Sequence, residues 1–386
     1  MSRDLILVAI SLFTWGIGEG MFYMFQPLYL QQWGASPILI GALLGGMGAA
    51  MAAAQIPAGY LADRLGSRAV MLAAWVTGLI STIIMGFAPS MEVFIVGMLA
   101  YGLTAFVSAP LNSYVASARG KWSVQRAITL GSAMFQLGSM IGPVAGGVLG
   151  DRFGLQLVYR IAAGFFVVST TFIFLIRPQL VEIHTGSEIR GKLHRNNQYL
   201  LFLGLSFITV LATYLPQPLT PNYLQNQHHL SLAVIGWMGA IGYLGNAVLT
   251  LAFGSLNAVS GFLIGQLLVG LAALILWRGD NTFWFGLAYF SMGGFRLLRS
   301  MGLAYSRSII HSGDTGLAFG ILETCNYIAV ILAPALAGFL YNYNPHFVYI
   351  ISLGLIGIVF LVNLRFMVGR QKINQKLLSY FPRNNL

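Results

Sequence analysis

Residues 59–72 read Gly-Tyr-Leu-Ala-Asp-Arg-Leu-Gly-Ser-Arg-Ala-Val-Met-Leu, a charged stretch between two long apolar runs. Asp63, Arg64 and Arg68 place three charges within six residues of each other. Charged side chains are costly in hydrocarbon, so this stretch is expected to lie at the membrane surface, where two membrane helices meet water. It therefore predicts a hairpin of two membrane spans, with Gly66 at the turn.

The composition extends this prediction to the whole chain. Of 386 residues, 57% are hydrophobic and 8% are charged, against roughly 25% charged in an ordinary soluble domain. Successive apolar runs of about 20 residues indicate membrane spans, so an all-α integral membrane protein is expected. Twelve spans are predicted, at 5–31, 37–61, 69–88, 91–117, 126–149, 156–176, 198–224, 231–254, 258–277, 282–308, 316–341 and 346–368.

The basic residues predict the orientation of these spans. With the 59–72 stretch in the cytoplasm, sixteen of the 21 Lys and Arg residues fall on the cytoplasmic side, three fall opposite and two lie within a span. This is the positive-inside bias, and it predicts a multi-pass protein of the plasma (inner) membrane with both termini cytoplasmic. The net charge of +11 then reflects topology and contact with anionic lipid, and no nucleic-acid partner is expected.

An internal repeat relates the two halves of the chain. Residues 143–147 (Pro-Val-Ala-Gly-Gly) match 334–338 (Pro-Ala-Leu-Ala-Gly) at an offset of 191, and Gly41 matches Gly236 at 195. A nearly constant offset of about half the length indicates a duplicated six-span unit. The predicted organisation is an N-terminal six-helix bundle at 1–176, a cytoplasmic linker at 177–197, and a C-terminal six-helix bundle with a short cytoplasmic tail at 198–386.

The charged stretch resembles the signature loop of the major facilitator superfamily (MFS), a family of secondary transporters. The positions that match are Gly59, Leu61, Ala62, Asp63, Arg64, Gly66, Arg68 and Leu72, whereas Ser67 departs from the pattern. The resemblance implies the MFS fold of two pseudo-symmetric six-helix bundles with parallel orientation. It also implies that the loop is a conformational gate, formed by Gly59, Asp63, Arg64, Gly66 and Arg68. The corresponding stretch of the second half, residues 254–258, has no charge.

Span five carries a second motif at residues 138–147, Gly-Ser-Met-Ile-Gly-Pro-Val-Ala-Gly-Gly. It is similar to an element of drug/proton antiporters in the superfamily, although general helix packing is an alternative interpretation. Efflux members often carry an arginine in span four, four residues before a glycine. Here Met98 stands four residues before Gly102, which is a departure from that pattern. The predicted helix-packing residues are Gly138, Gly142, Pro143, Gly146 and Gly147.

Four ionisable residues lie well inside predicted spans: Glu19, Arg296, Arg299 and Glu323. Each would cost roughly 2.5–3.5 kcal/mol if it faced lipid, so each is expected to have a partner or a wet cavity. Arg299 and Glu323 are close in predicted depth on consecutive spans. A structural ion pair between them is therefore one interpretation, and a role in transport is the other.

In the superfamily, spans one, four, seven and ten line the central cavity, which implies that Glu19 and Arg296 face the substrate path. A carboxyl group in a low-dielectric site can exchange a proton near neutral pH. We therefore predict that Glu19 is a protonation site and that Arg296 is its counter-ion or an anchor for an anionic substrate group. A neutral Glu19 hydrogen-bonded within the bundle is the alternative.

Aromatic and amide side chains in the spans suit the wall of a cavity for an amphipathic compound, although some are expected to serve only packing. The candidates are Trp15, Tyr23, Gln26, Tyr101, Asn112, Gln136, Tyr214, Gln217, Asn246, Tyr289, Asn326 and Tyr327.

Span eleven begins near residues 311–316, on the predicted cytoplasmic face that also holds Asp63. A helix N-terminus attracts a carboxylate, and in the family this contact is thought to hold the cytoplasmic side shut. The same role is predicted for Asp63. An echo of the loop at 149–154, Leu-Gly-Asp-Arg-Phe-Gly, falls on the opposite face and predicts an outer clamp or a surface turn.

These features predict a secondary active transporter that moves a small amphipathic organic compound by alternating access, with proton-coupled export as the first interpretation. A symporter or exchanger of organic anions that uses Arg296 and Arg299 is the second, and a non-transporting sensor on the same fold is the third. The sequence lacks nucleotide-binding and nucleophile motifs, so no enzyme activity, cofactor or metal is expected. The expected partners are the substrate, protons and membrane lipid, and the protein is expected to be a monomer.

Overall fold

The computed structural model describes residues 2–178, 193, 196–310 and 315–380, without the side chains of 56–63, 316 and 368–380. The described residues form α-helices and one short 3₁₀ turn, Thr104–Val107. The helices are α1 (Arg3–Tyr23), α2 (Gln26–Gln32), α3 (Pro37–Leu65), α4 (Ser67–Gly86), α5 (Met91–Leu103), α6 (Ser108–Ser117), α7 (Val124–Phe153), α8 (Leu155–Phe174), α9 (Asn197–Tyr214), α10 (Thr220–His228), α11 (Leu232–Phe253), α12 (Ala258–Arg278), α13 (Thr282–Met292), α14 (Gly294–Ser308), α15 (Thr315–Tyr343) and α16 (Phe347–Tyr380).

Within these described residues, eleven helical stretches are long and apolar enough to cross a membrane. The predicted span at 282–308 is absent from that set because a break at Gly293 divides it into α13, of 11 residues, and α14, of 15. Each piece is too short to cross a bilayer core alone, since about 20 helical residues are needed. The prediction of an all-α, multi-pass membrane protein is confirmed.

Four predicted spans are broken where the hydrophobicity predicted continuous helices. These are spans one, four, seven and ten, and the corrected description of each is a pair of helices joined by a short irregular or 3₁₀ segment. The breaks lie at residues 24–25, 104–107, 215–219 and 293.

Proline and glycine account for three of these breaks. Pro27 lies in the first turn of α2 and Pro221 in the first turn of α10. Proline has no backbone N–H and is tolerated in a first helical turn, so it starts a new helix more readily than it continues an old one. At the third break, a Cβ on Gly293 would lie 2.5 Å from the Asn246 nitrogen of α11, so only glycine allows this approach.

The described helices form two compact units. The first contains α1–α8, α10, the start of α11 (residues 232–244) and the end of α15 (residues 330–343). In it, α1 packs against α7 and α8, and α4 packs against α5 and α8. The predicted linker at 177–197 lies largely outside the described residues, so the boundary between two six-helix halves stays a prediction.

The first unit has an aromatic core on one side of α1. The rings of Phe22 and Tyr29 pack on Tyr159, with centroid distances of 5.2 and 5.1 Å. Phe94 contacts Tyr159 edge-on at 5.2 Å. These side chains are buried, and such contacts stabilise aromatic clusters beyond the area they bury. The cluster fixes α1 against α5 and α8.

The motif at 138–147 lies on α7 and faces α1 in direct backbone contact. A Cβ on Gly142 would lie 2.5 Å from the Ile17 carbonyl oxygen, and one on Gly146 would overlap the Met21 carbonyl oxygen. Small residues allow membrane helices to approach this closely. The glycines of α7 therefore hold α1 in close backbone contact.

Two further close crossings use residues related by the internal repeat. Gly236 of α11 lies against the Pro143 carbonyl oxygen of α7, and Gly41 of α3 lies against the Pro334 carbonyl oxygen of α15. A Cβ on either glycine would overlap that oxygen. Since these four residues are pairs of the repeat, the repeated sequence corresponds to a repeated helix crossing.

The second unit contains α9, residues 245–253 of α11, α12–α14, residues 315–329 of α15 and α16. Here α12 packs against α13, α14 and α16. A buried polar cluster joins three of its helices, because the Asn363 amide donates to Thr209 Oγ1 at 2.9 Å and to Gln266 Oε1 at 3.2 Å. Polar groups inside a membrane bundle need such partners.

Candidate functional site

Glu19 lies on α1, between glycines at positions 18 and 20 that keep the neighbouring helices close. Its Oε2 atom accepts two hydrogen bonds, from Trp15 Nε1 at 3.0 Å and from Tyr101 OH at 2.6 Å. Trp15 stands one helical turn earlier on α1, and Tyr101 comes from the last turn of α5. The carboxyl group is thus held by two neutral donors on the helices of spans one and four.

The Trp15 ring is fixed by aromatic neighbours and fits against α4 at a glycine. Its centroid lies 4.9 Å from that of Trp75 and 4.3 Å from that of Phe166. A Cβ on Gly78 would overlap the indole of Trp15, so α4 leaves room for this ring only because Gly78 has no side chain. The donor to Glu19 is therefore positioned by packing on three sides.

Trp75 is itself held by two buried serines. Its Nε1 donates to Ser11 Oγ at 2.8 Å and to Ser169 Oγ at 2.9 Å. The Ser11 and Ser169 hydroxyls are 2.8 Å apart and share a further hydrogen bond. All three residues are buried, and a fully paired polar network of this kind rigidifies its surroundings. This network fixes the Trp75 ring, which in turn packs against Trp15.

These residues border a cavity of about 330 Å³ in the first unit. Its wall is mainly apolar and aromatic, with a few polar groups, as is common in small-molecule sites. The residues that line it are Leu12, Trp15, Glu19, Met51, Trp75, Tyr101, Thr104, Ala105, Val107, Ser108, Leu111, Asn112, Val115, Ile128, Gly131, Ser132 and Phe135. Four of the predicted site residues, Trp15, Glu19, Tyr101 and Asn112, are brought together here.

The other charged residues predicted inside spans lie in the second unit. Arg299 of α14 forms an ion pair with Glu323 of α15. The guanidinium also lies 5.1 Å from the ring centre of Tyr327, a cation–π distance. Arg296, one turn earlier on α14, is exposed. The structure therefore shows the ion pair that the sequence suggested, and its role in transport stays a prediction.

Removing one partner of the Arg299–Glu323 pair is expected to destabilise the protein. The side chains are 22% and 28% exposed, so Arg299→Gln or Glu323→Gln leaves a partly buried charge unpaired, at a cost of about 1–2 kcal/mol. The double variant should recover part of this loss, which thermal unfolding in detergent would measure. Additive effects of the two single changes would contradict a coupled pair.

The remaining predicted residues of the second unit serve local contacts. Tyr214 packs on Phe295 with a centroid distance of 5.3 Å. Asn326 is buried, and its Oδ1 accepts a hydrogen bond from Ser206 Oγ at 2.9 Å. Asn246 lies on α11 opposite the break at Gly293. A role for Tyr214, Asn246 and Asn326 in substrate contact stays a prediction.

Three predicted residues of the first unit lie outside the cavity. Tyr23 ends α1 and is 36% exposed, whereas Gln26 is buried at the first position of α2. Gln217 lies in the irregular segment before α10, where its carbonyl accepts the Thr220 N–H at 3.3 Å. All three are next to helix breaks, and their part in the substrate path stays a prediction.

The gate residues are only partly described. Asp63 is among the residues whose side chains lie outside the described part of the chain, and Gly59 lies within α3. Arg64 ends α3 exposed, and Gly66 adopts a left-handed backbone with φ of 81°. Arg68 Nε donates to the Ile176 carbonyl oxygen at 2.8 Å, just beyond the end of α8. The gate therefore stays a prediction for Asp63.

Some residues that shape the site gave no signal as single positions in the sequence. Trp75, Ser11 and Ser169 come from three helices, and only their contact shows that they act together. Ser132 and Phe135 line the cavity from the α7 turn just before the glycine motif. Among the described residues, no group of three or more His, Cys, Asp or Glu side chains is placed to hold a metal ion.

Comparisons with known proteins agree with this architecture. A family model described as Major Facilitator Superfamily matches residues 8–205 and 202–379. An uncharacterised MFS-type transporter of Methanocaldococcus jannaschii is 27% identical over 160 residues, 41% of this chain and 42% of that protein. Multidrug resistance protein 2 of Bacillus subtilis is 24% identical over 394 residues, covering 96% of both chains. The chain thus matches under half of the archaeal relative and nearly all of the bacterial one.

Among solved structures, a mutant of the nucleoside transporter NupG has a TM-score of 0.83 and 13% sequence identity. The match covers 94% of this chain and 100% of that chain. At this identity the likeness establishes the fold.

Proposed function

We propose a function on the premise that this chain belongs to the Major Facilitator Superfamily, whose model matches nearly its full length. It is a multi-pass membrane transporter. We infer that it moves a small amphipathic organic compound by alternating access, that it couples export to protons, and that it does no covalent chemistry on its cargo. The proposal also places it in the plasma membrane as a monomer with both termini in the cytoplasm.

The observation that carries the proposal is a single carboxyl group in a cavity whose wall is mainly apolar and aromatic, with a few neutral polar side chains. Within the lining, Glu19 is the one acidic side chain, and Trp15, Trp75 and Phe135 supply flat apolar surfaces. An amphipathic molecule can place its apolar part on these rings and a hydrogen-bond donor or positive group on Glu19. The site is therefore complementary to a compound with both features.

Glu19 can link binding to protons because substrate and proton would use the same carboxylate. Trp15 and Tyr101 both donate to Oε2, and these hydrogen bonds offset part of the cost of an ionised carboxylate in this apolar surrounding. A proton on Glu19 removes the charge and weakens its hold on a polar or cationic substrate group. Alternate occupancy by proton and substrate gives exchange, and an inward proton gradient then drives export.

Two features favour export over the anion-exchange alternative. Arg299 is already paired with Glu323, so it is less available to bind an anionic substrate. The bacterial relative that matches both chains over 96% of their length is named a multidrug resistance protein. These points support an outward direction and a non-anionic substrate for this chain.

Blocking the cavity is expected to abolish transport. Ser132 lines it from α7, so Ser132→Trp fills much of the space with an indole. A counterflow assay in proteoliposomes with a panel of amphipathic compounds should show flux for the native protein and none for this variant. Val168→Trp is the matched control, because Val168 is 45% exposed on α8 and faces away from the buried core.

The same assay separates the alternatives. Flux of organic anions alone, lost on Arg296→Gln, would replace the proposal by anion transport. Compound binding without flux would indicate a sensor on this fold. Full flux in Ser132→Trp with an intact Val168→Trp control would show that the cavity is not the substrate site.

A further inference from the structure

Asp151 lies at the end of α7 and binds the beginning of α11. Its Oδ1 accepts the Leu232 N–H at 2.7 Å, and its Oδ2 accepts the Ala233 N–H at 2.8 Å. These are the first two residues of α11. A carboxylate at this place satisfies free N–H groups and interacts favourably with the helix dipole. The contact joins a helix of the first sequence half to a helix of the second.

This contact is additional to the ordinary cap of α11. Ser231 precedes the helix, and its Oγ accepts the Val234 N–H at 3.3 Å. The helix thus has its own capping residue, and Asp151 supplies a bond between helices rather than the bond that starts the helix. Its loss is expected to affect how α7 and α11 are held together more than whether α11 forms.

Other contacts fasten the same region. The α7–α11 crossing at Gly236 and Pro143 lies along the same pair of helices. The amides of Gln31 on α2 and Asn226 on α10 exchange two hydrogen bonds, of 3.0 and 2.9 Å. Asn222 Nδ2 also donates to Gln31 Oε1 at 2.8 Å. Asp151 is the charged member of this set of contacts.

The stretch around Asp151 repeats the gate loop in sequence and in backbone. Asp-Arg-Leu-Gly at 63–66 and Asp-Arg-Phe-Gly at 151–154 both end one helix and begin the next without a further residue. The two closing glycines have nearly the same backbone, with φ of 81° and 82° and ψ of 149° and 157°. An L side chain would be strained at both positions.

The two loops fall on opposite faces of the membrane. One follows the second predicted span and the other follows the fifth, so three spans separate them, and an odd number of crossings changes the side. Their expected targets are also related, since Asp151 binds the start of α11 and Asp63 is predicted to bind the start of α15. The α11 and α15 helices are the eighth and eleventh predicted spans, again three apart.

We propose that Asp151 is a latch on the predicted outer face, with the same chemistry as the latch predicted for Asp63 on the cytoplasmic face. Each carboxylate holds its own side shut by binding the N-terminus of a helix from the other sequence half. The balance between outward-open and inward-open states then depends on the difference between the two latches. The inference rests on the proposed alternating access, but not on the substrate or on Glu19.

The internal repeat provides a comparison within the chain. At the crossing of α3 and α15, the position equivalent to Leu232 is Pro37, and the position equivalent to Asp151 is Asn342, at the offsets of 195 and 191. Proline has no N–H to donate, and an amide has no negative charge. The second crossing therefore lacks one of the two donors and the negative charge, and a charged latch of this kind is specific to α7 and α11.

The experiment measures the distances between pairs of spin labels in the substrate-free protein. The labels are attached through cysteines, so the native Cys325 is first replaced by Ser. Spin labels at Ser90 and Thr282 report the predicted outer side, and labels at Lys121 and Ser255 report the cytoplasmic side. Asp151→Asn should lengthen the outer distance and shorten the inner one, with a change of roughly fivefold in the ratio of states, as expected for one carboxylate at a helix N-terminus. Asp280→Asn, which removes another exposed acid from the same predicted face, should change neither distance.

A second variant removes one of the two donors, the Leu232 N–H, and leaves the acceptor and the Ala233 N–H in place. Leu232→Pro reproduces the Ser36-Pro37 arrangement of α3, which proline permits at a first helical position. It should shift the states in the same direction as Asp151→Asn, and combining the two should add little. Asp63→Asn should shift them in the opposite direction, and the Asp63→Asn/Asp151→Asn double variant should lie between the single ones.

Three results would overturn the inference: unchanged distances in both Asp151→Asn and Leu232→Pro, a shift no larger than that of Asp280→Asn, or equal shifts in the same direction for Asp63→Asn and Asp151→Asn. Because no substrate is present, failure of the proposed transport activity would leave this measurement unaffected. Loss of flux with intact distance changes would instead refute the proposed function alone.

Discussion

Glu19→Gln is expected to abolish transport driven by a pH gradient while leaving substrate exchange in place. Glutamine keeps the size of glutamate, and its Oε1 can still accept from Trp15 and Tyr101, so the cavity should keep its shape. It cannot exchange a proton, so substrate movement loses its link to the gradient. Accumulation in vesicles with an imposed pH gradient should fall to the level of protein-free liposomes.

Two controls sharpen this expectation. Counterflow of labelled substrate without a gradient should continue in Glu19→Gln at a raised substrate concentration, because the neutral amide weakens binding as a proton on Glu19 does but leaves the cavity intact. Glu92→Gln, an acid in the first turn of α5 outside the cavity, should behave like the native protein. Gradient-driven accumulation that persists in Glu19→Gln would eliminate the proton role and leave the hydrogen-bonded, neutral carboxyl as the correct interpretation.

Gly146→Ala is expected to have the largest effect on stability. The added methyl would overlap the Met21 carbonyl oxygen, and a backbone atom cannot move aside as a flexible side chain can. Overpacking of a core typically costs about 1–3 kcal/mol of folding free energy. Because this clash is with backbone, we expect a loss of about 3 kcal/mol. Thermal unfolding in detergent, followed by size-exclusion chromatography, would measure the loss.

Gly164→Ala is the matched control for this substitution. Gly164 lies in the middle of α8, and a Cβ there would meet no atom within 4 Å. Alanine favours helix over glycine by about 1 kcal/mol, so this variant should be as stable as the native protein or slightly more so. If Gly146→Ala matched Gly164→Ala, the direct contact between α1 and α7 would not contribute to stability in the way described.

The family and the all-α, multi-pass architecture were predictable because both depend on local sequence. The Asp63–Gly66 loop carries the family motif, and apolar runs of sufficient length predict membrane helices whatever their neighbours are. The comparison with the family model confirms the resemblance, and the described helices confirm the all-α prediction. Glu19 was identified for the same kind of reason, since a charge inside an apolar run can be read from sequence alone.

The helix breaks and the support around Glu19 were not predictable in this way. Hydrophobicity is similar before and after Met24 and Gly293, so an average over a window does not show that the helix stops there. Trp75 became relevant only because Ser11 and Ser169 meet it from two other helices. Asp151 was visible as an echo of the gate loop, but its target on α11 depends on the packing of distant segments.

The 3₁₀ turn at Thr104–Val107 borders the cavity and has a consequence for how this transporter could change its cargo. Where a helix departs from its regular ladder, main-chain carbonyl groups take other partners, and here the Thr104 and Ser108 hydroxyls donate to the Tyr101 and Ala105 carbonyl oxygens at 2.7 and 3.2 Å. In the proposed role of the cavity, substitutions elsewhere in its wall would alter shape and charge preference while this end stays polar. New cargoes would then arise through changes of a few side chains, because the interruption of the helix and its two hydroxyl partners supply the polar end.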